Sequence, residues 1–476
     1  MKKLFKHTFI YAFGTQLSRV VSIFILPFVT PYLTNEDYGI NGIALAYLGS
    51  FSALKDLGMI AVISNTFYRY PFRFKFIWNR VFSFLSVWSI PLAIIIGIVL
   101  FFVLPASTIN KIIIILCSIL PIIFFDNLIL FSSRYLQLSE KPTSFVIISF
   151  VSSITSILVS YIAIVHFKLG YKGWFIGSFI SQFVAFICYL KVAVSYKIVK
   201  FNFNFSLKWI GKYLKISLPA IPHAYSSFLM ETSDRIILSL FMININIIGL
   251  YNIGYTFGQY FNILNIGLAL ATSSFYLKLY NNNNKANEIK VRNITFVIWL
   301  SILILASIAG LWMKEIFAIL IRNQNLKEGF SITIVILFCY VGNVFYMSSG
   351  NKLIALGKMN DLWKVSLMAG LINVVLNLIL IPYLNVWGSV IATLIGNSYL
   401  HFRIFFLKVY KENSYGTNFY PLISFLIIVF VLLSVFLLRN ANLYIKISIT
   451  FFSSLSIVTF LWKSGKFYFN NLNFNS

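Results

Sequence analysis

Apolar residues in this chain come in runs of about 20, separated by short polar connections, and the rhythm persists from end to end. One helix on each run gives fourteen spans, at about 8–30, 38–66, 81–104, 112–133, 144–166, 173–194, 217–241, 247–276, 293–313, 329–350, 362–382, 386–407, 419–438 and 443–462. The pattern predicts an all-α membrane protein with about 14 transmembrane helices. Composition agrees: 59% of the 476 residues are hydrophobic and only 11% are charged, more apolar sequence than a water-soluble core can use.

Charge adds orientation. The chain holds 38 Lys and Arg against 12 Asp and Glu, a balance that would suit a nucleic-acid binder if the basic residues formed a patch. They sit instead in the connections between spans. With the N-terminus in the cytoplasm, 27 fall in cytoplasmic segments and eight in external ones, while Arg19, Lys55 and Arg235 lie inside spans. That asymmetry predicts an even number of spans and both termini cytoplasmic, in a multi-pass membrane protein that binds no nucleic acid. The longest connection, residues 195–216, is basic and aromatic and suits an interfacial segment joining two halves. The first run is too long for a cleavable signal peptide and lacks a small-residue cleavage site. Cys117, Cys188 and Cys339 lie singly in apolar runs, with neither disulfide nor metal spacing.

The two halves resemble each other. Gly173-Trp-Phe-Ile-Gly177-Ser-Phe-Ile-Ser181 matches Gly388-Ser-Val-Ile-Ala392-Thr-Leu-Ile-Gly396, and Tyr38-Gly39-Ile40-Asn41-Gly42 resembles Ile248-Gly249-Leu250-Tyr251-Asn252. Arg134-Tyr-Leu-Gln-Leu-Ser-Glu140 lines up with Lys352-Leu-Ile-Ala-Leu-Gly-Lys358 in the same order. The expected organisation is two pseudo-symmetric six-helix lobes, 1–200 and 201–412, followed by two additional transmembrane helices in 413–476. Paired repeats of this kind rock about a central site to give alternating access.

Several of these residues carry a resemblance that covers nearly the whole chain. Tyr11-Ala-Phe-Gly14-Thr15 with Arg19, the turn Leu33-Thr-Asn-Glu-Asp37-Tyr-Gly39, and Ser233-Asp234-Arg235-Ile-Ile-Leu238 stand out, together with the glycine-bearing starts of spans six, eight and twelve. On them the chain resembles the polysaccharide-transporter branch (Wzx-type O-antigen flippases) of the multidrug/oligosaccharidyl-lipid/polysaccharide exporter superfamily. The resemblance implies a flippase that moves an undecaprenyl-(pyro)phosphate-linked oligosaccharide to the outer leaflet for O-antigen, lipopolysaccharide or other surface glycan synthesis. Implied partners are that lipid-linked glycan, membrane lipids, H⁺ or Na⁺ as coupling ion, and a glycan polymerase with its chain-length regulator. The alternative on the same fold is a cation-coupled multidrug exporter, which the cationic Arg19 and Lys55 disfavour. A glycan polymerase or ligase is disfavoured by the short external loops. No GxxxxGK[ST], HExxH or GxGxxG occurs, and neither enzymatic activity nor a cofactor is expected.

Polar residues inside the spans are the candidate site. An arginine at the bilayer centre costs roughly 2.5–3.5 kcal/mol on insertion scales, so Arg19 requires a polar interior. Arg19 and Lys55 reach similar depth, roughly 16–20 Å from the cytoplasmic end, and together suit a phosphate. The competing reading pairs Arg19 with Asp56 or Asp126 as internal scaffolding. In span seven, Arg235 follows Glu231 by four, a spacing that permits an ion pair and would leave Asp234 as an unbalanced carboxylate suited to cation coupling. Asp234 satisfied by a neighbouring helix is the structural alternative, and His223 reads as structural. Asn252, Tyr255, Gln259 and Asn262 form a polar ladder along span eight, either a sugar-binding wall or interhelical hydrogen bonds.

Overall fold

In lipid, a main chain that cannot bond to water must bond to itself, and runs of this length do so as helices. In the computed structural model, which describes residues 21–199, 205–282, 284–415 and 419–455, the runs are helical and no strand occurs among the described residues. Among the described residues seven helices are long and apolar enough to cross a membrane, or nine when two bent helix pairs each count as one span. The chain is a multi-pass membrane protein. Of the other expected spans, 38–66 and 217–241 are interrupted by helix breaks, and Val386–Phe402 is shorter. The first and last runs continue beyond the described residues, leaving the apolar helices Val21–Tyr32 and Leu443–Leu455.

The described chain forms two compact units, with the division falling between Asn252 and Ile253. The first also takes in Leu320–Leu326. It contains α1 (Val21–Tyr32), α2 (Asn35–Ser50), α3 (Ser52–Lys55), α4 (Met59–Arg69), α5 (Phe74–Val103) and α6 (Thr108–Phe124). After these come α7 (Asp126–Leu138), α8 (Pro142–Tyr161), α9 (Lys172–Ser195), α10 (Leu207–Ser217), α11 (Ile221–Glu231), α12 (Ser233–Leu240) and the start of α13 (Ile245–Asn281). Trp78 is fully buried in its core, donating Nε1–H to the main-chain oxygen of Ile63 at 3.2 Å and meeting Phe131 edge-on. The basic connection expected at the interface contributes α10, whose Ile210 is buried in this same core while Lys208, Lys212 and Lys215 stay exposed.

Small residues decide how closely these helices approach. A Cβ on Gly249 would lie 1.8 Å from the main-chain oxygen of Asn35, and one on Gly39 would lie 2.4 Å from that of Ile245. The α2 and α13 backbones therefore meet where any larger residue would part them. The glycines of the internal repeat share this role. A Cβ on Gly173 would stand 2.5 Å from Ile164, and one on Gly388 would stand 2.6 Å from the carbonyl carbon of Leu380.

The second unit holds the remainder of α13, then α14 (Lys285–Leu311), α15 (Met313–Leu320), α16 (Gln324–Lys327), α17 (Phe330–Cys339) and α18 (Asn343–Ala355), apart from the residues assigned to the first unit. It continues with α19 (Met359–Leu384), α20 (Val386–Phe402), α21 (Lys408–Glu412), α22 (Pro421–Leu437) and α23 (Leu443–Leu455). Fully buried Phe345 contacts Trp299, Phe296, Phe402 and Phe405. Lys446, 1% exposed, bonds both carboxylate oxygens of Glu315 at 2.7 and 3.0 Å and so pins α23 to α15.

Breaks interrupt several spans. α3 and α4 part at Leu57 and Gly58, α6 and α7 meet at 52°, α13 bends by 44° between Ala269 and Thr272, and α17 gives way to α18 through Tyr340–Gly342. The first and third, and likewise the second and fourth, stand about as far apart in sequence as the two halves of the internal repeat. Gly249→Ala is expected to cost about 1–3 kcal/mol of stability through overpacking, read as a lower unfolding temperature of the detergent-solubilised protein. Gly211→Ala, whose methyl would meet nothing within 4 Å, should leave that temperature unchanged or slightly raised.

Candidate functional site

A helix broken inside a membrane exposes unpaired main-chain groups, tolerated only where protein or water satisfies them. In the first unit, α3 ends at Lys55 and the chain passes through Asp56, Leu57 (φ +49°) and Gly58 (φ +70°) before α4 begins. Gly58 accepts the left-handed conformation readily, whereas Leu57 is strained there. Asp56 Oδ1 accepts the amide hydrogen of Gly58 at 3.2 Å, and Trp88 Nε1 donates to the main-chain oxygen of Leu54 at 2.8 Å. Across from this break α7 begins at Asp126, just after the 52° bend.

Lys55 Nζ donates to Asp126 Oδ2 at 3.0 Å. Each charge suits its own helix end, a cation at the C-terminus of α3 and an anion at the N-terminus of α7. The side chains are 35% and 27% exposed, so the ion pair has an open side. A hydrocarbon environment would penalise that exposure, which makes an aqueous lining the consistent one. Arg134, on the same helix as Asp126, lies within electrostatic reach of Asp56 and donates to Gln137 Oε1 at 3.0 Å. Arg19, expected beside Lys55, lies outside the described residues.

The second charged group is closed. Asp234, 1% exposed, accepts from Arg235 NH1 at 2.9 Å, from the Arg235 amide at 2.8 Å and from the Tyr251 hydroxyl. Arg235 also donates through Nε to Asn252 Oδ1 at 3.0 Å and through NH1 to the main-chain oxygen of Glu231 at 2.7 Å. Asn252 Nδ2 in turn donates to the Tyr38 main-chain oxygen at 3.1 Å. Asp234 lies within ion-pair distance of Arg235, and the chain breaks at Thr232, between α11 and α12, where the same guanidinium takes the freed Glu231 carbonyl. Asp234 is consequently balanced, and the network ties α12 to α13 and α2.

Span eight is divided by the same packing. Asn252 is engaged in the Arg235 network, while Tyr255 and Gln259 belong to the second unit, the former 1% exposed and the latter half-buried. The second unit also contains a pair that the linear pattern conceals. Lys352 Nζ donates to Glu288 Oε1 at 3.0 Å, both residues being buried, and Ser414 Oγ and the Tyr415 amide donate to the same carboxylate at 2.7 and 3.2 Å. The ammonium lies 4.4 Å from the Tyr410 ring centroid, and the pair lines a cavity of about 200 Å³. A lone acid among Lys285, Lys290 and Arg292 was the available signal. Among the described residues no three His, Cys, Asp or Glu side chains converge as a metal would require.

Residues 4–276 match a family described as polysaccharide biosynthesis protein. The chain belongs to that family. The matched segment contains both the Lys55–Asp126 pair and the Asp234–Arg235 network, and ends before Glu288 and Lys352. No curated protein matches the sequence. Among solved structures the chain is similar to the lipid II flippase MurJ in an inward closed conformation, at 17% identity and a TM-score of 0.62, over 92% of this chain and 99% of that one. It is similar to an inward-facing multidrug resistance MATE transporter of the MOP superfamily, at 16% identity and 0.56, over 90% and 95%. The D35N mutant of the Vibrio cholerae MATE transporter VcmN gives 14% identity and 0.54, over 88% and 98%. These likenesses establish a shared fold.

In this member of the family, the turn before α2 has a structural explanation. Thr34 and Asp37 form a reciprocal cap, with Thr34 Oγ1 accepting the Asp37 amide hydrogen and Asp37 Oδ2 accepting that of Thr34. Asp37 Oδ1 accepts from the Tyr171 amide at 2.8 Å and so fastens the end of α2 to the start of α9. Asp234→Asn is expected to break the buried ion pair with Arg235 and to destabilise the protein by about 3–5 kcal/mol. Thermal unfolding in detergent measures this, and Tyr251→Phe should cost less because it removes only one neutral donor.

Proposed function

We propose that the protein moves an undecaprenyl-(pyro)phosphate-linked oligosaccharide from the cytoplasmic to the outer leaflet of the inner membrane, in the synthesis of O-antigen or another surface polysaccharide. The observation that carries the reading is the Lys55–Asp126 pair: two opposite charges at facing helix breaks, 35% and 27% exposed, in a member of a polysaccharide biosynthesis family. A lysine ammonium has three donors, of which Asp126 takes one, so a phosphate oxygen can be held without dismantling the break. Arg19 is the second phosphate contact in this proposal, and the amide and phenol groups of Tyr255 and Gln259 serve the glycan.

Moving a head group across a membrane makes and breaks no covalent bond. The energetic obstacle is desolvation of the phosphate, which fixed cations offset. Phosphate arriving at Lys55 weakens its hold on Asp126, and the freed carboxylate then takes a proton or Na⁺. That exchange couples the two movements through one ammonium group. Asp234, already fully engaged by Arg235 and Tyr251, serves the scaffold in this scheme.

Deletion of the gene followed by extraction of lipid-linked intermediates tests the function. Accumulated undecaprenyl-linked repeat units are expected, whereas drug hypersensitivity without such accumulation would indicate the cation-coupled exporter instead. Arg19→Ala should abolish surface-glycan export with membrane insertion intact, and undiminished export would remove the phosphate role. Asp126→Asn should bind the phosphate-bearing substrate about tenfold more tightly while losing the dependence of transport on the imposed ion gradient. Binding to purified protein and flux into vesicles read the two effects separately.

A further inference from the structure

An ammonium group has three hydrogens to place, and burial leaves few acceptors to take them. Lys352 is 4% exposed, and among the described residues its one hydrogen bond is to Glu288. The face of the Tyr410 ring, 4.4 Å from the ammonium, can take a second hydrogen. The third has no acceptor in the protein. The side chain lines the cavity of about 200 Å³ that lies between the end of α13, the start of α14 and the end of α18.

The rest of the lining also offers donors. Asn281 stands exposed at the rim with its whole amide available. Asn284 caps α14 by accepting the Asn287 amide hydrogen at 2.7 Å, which occupies its oxygen and leaves its NH2 group. The positive end of a 27-residue helix therefore stands at the same mouth. Glu288 is the one carboxylate among the lining residues, and three donors answer it: Lys352 Nζ at 3.0 Å, Ser414 Oγ at 2.7 Å and the Tyr415 amide at 3.2 Å. Residues 278–292 carry Lys278, Lys285, Lys290 and Arg292 against this single acid, so the field at the mouth is positive. Donors in a positive field suit an anion with several acceptor oxygens. The volume falls below the roughly 300–1,000 Å³ of sites for drug-sized ligands, so the fitting occupant is a small group rather than an oligosaccharide.

We propose that this cavity binds a phosphate group. Lys352 meets it at the floor, held in place by Glu288, and the Asn281 and Asn284 amides hold it at the rim. A soluble phosphate ester and the phosphate head of a membrane lipid present the same chemistry. The site contains neither Lys55 nor Asp126, so its occupancy is independent of the transport reading.

The test is equilibrium binding of radiolabelled inorganic phosphate to the full-length protein in detergent. A saturable component that survives Lys55→Gln is expected. Asn281→Asp, at an exposed position, places a carboxylate at the rim and should weaken that component about tenfold. Lys352→Met alone would strand the Glu288 charge, so it is combined with Glu288→Gln, which leaves no buried charge. The double variant should lose the component while eluting as a folded protein. Competition identifies the source. Displacement by phosphatidic acid in mixed micelles at lower concentration than by glycerol 3-phosphate indicates a lipid head, and the reverse or equality a soluble phosphate. No saturable component in the Lys55→Gln protein, or one unchanged in both Asn281→Asp and the double variant, would overturn the proposal.

Discussion

The structure depends on how its interrupted helices close their ends. Each break frees carbonyl and amide groups that water would satisfy in a soluble protein and that hydrocarbon cannot. At α3 the freed groups meet the Asp56 carboxylate and the Trp88 indole, while the Lys55 ammonium at the helix end bonds the Asp126 carboxylate that opens α7. At α12 the Arg235 guanidinium takes the Glu231 carbonyl and the Asp234 side chain takes the Arg235 amide. Charged residues that would be penalised on a continuous span become the groups that make a discontinuous one tolerable.

That constraint separates two kinds of ion pair. Asp234 and Arg235 are 1% and 5% exposed and, besides pairing with each other on α12, bond to Tyr251 and Asn252 of α13, so their energetic weight lies in a scaffold that joins α12, α13 and, through Asn252, α2. Removing one partner strands a buried charge. Lys55 and Asp126 are more open, closer to the regime in which an ion pair contributes little net stability and can be remade at small cost. A group that must exchange partners during a transport cycle belongs in the second class. Glu288 and Lys352 fall in the first, with Ser414 and the Tyr415 amide completing the carboxylate's coordination.

Close helix approach is the complementary requirement. Gly39 and Gly249 allow α2 and α13 to touch through backbone, and this contact brings Asn252 within reach of both Arg235 and the Tyr38 carbonyl. The residues that carried the family resemblance are largely residues of this kind: caps, contact glycines and the Asp234–Arg235 pair. They report how the scaffold is held, which is why they identify a family more readily than a cargo.

Helical class, the approximate position of most spans and the basic bias of their connections were legible in the sequence, because lipid imposes a length and a polarity on every run independently of its neighbours. Lys55 was also legible as an anomaly, since a charge at membrane depth is costly wherever it packs. What it pairs with was not. The choice of Asp126, 71 residues away, follows from the α3 and α6–α7 breaks facing one another. Asp234 read as an unbalanced carboxylate for the same reason, since its pairing with the adjacent Arg235 and its bond from Tyr251 depend on side-chain geometry that spacing does not report. Glu288 and Lys352, 64 residues apart, show no relation in the linear pattern, and folding buries them against each other. Periodicity and composition are local properties, whereas the partner of a charge is set by which helix ends the tertiary structure brings together.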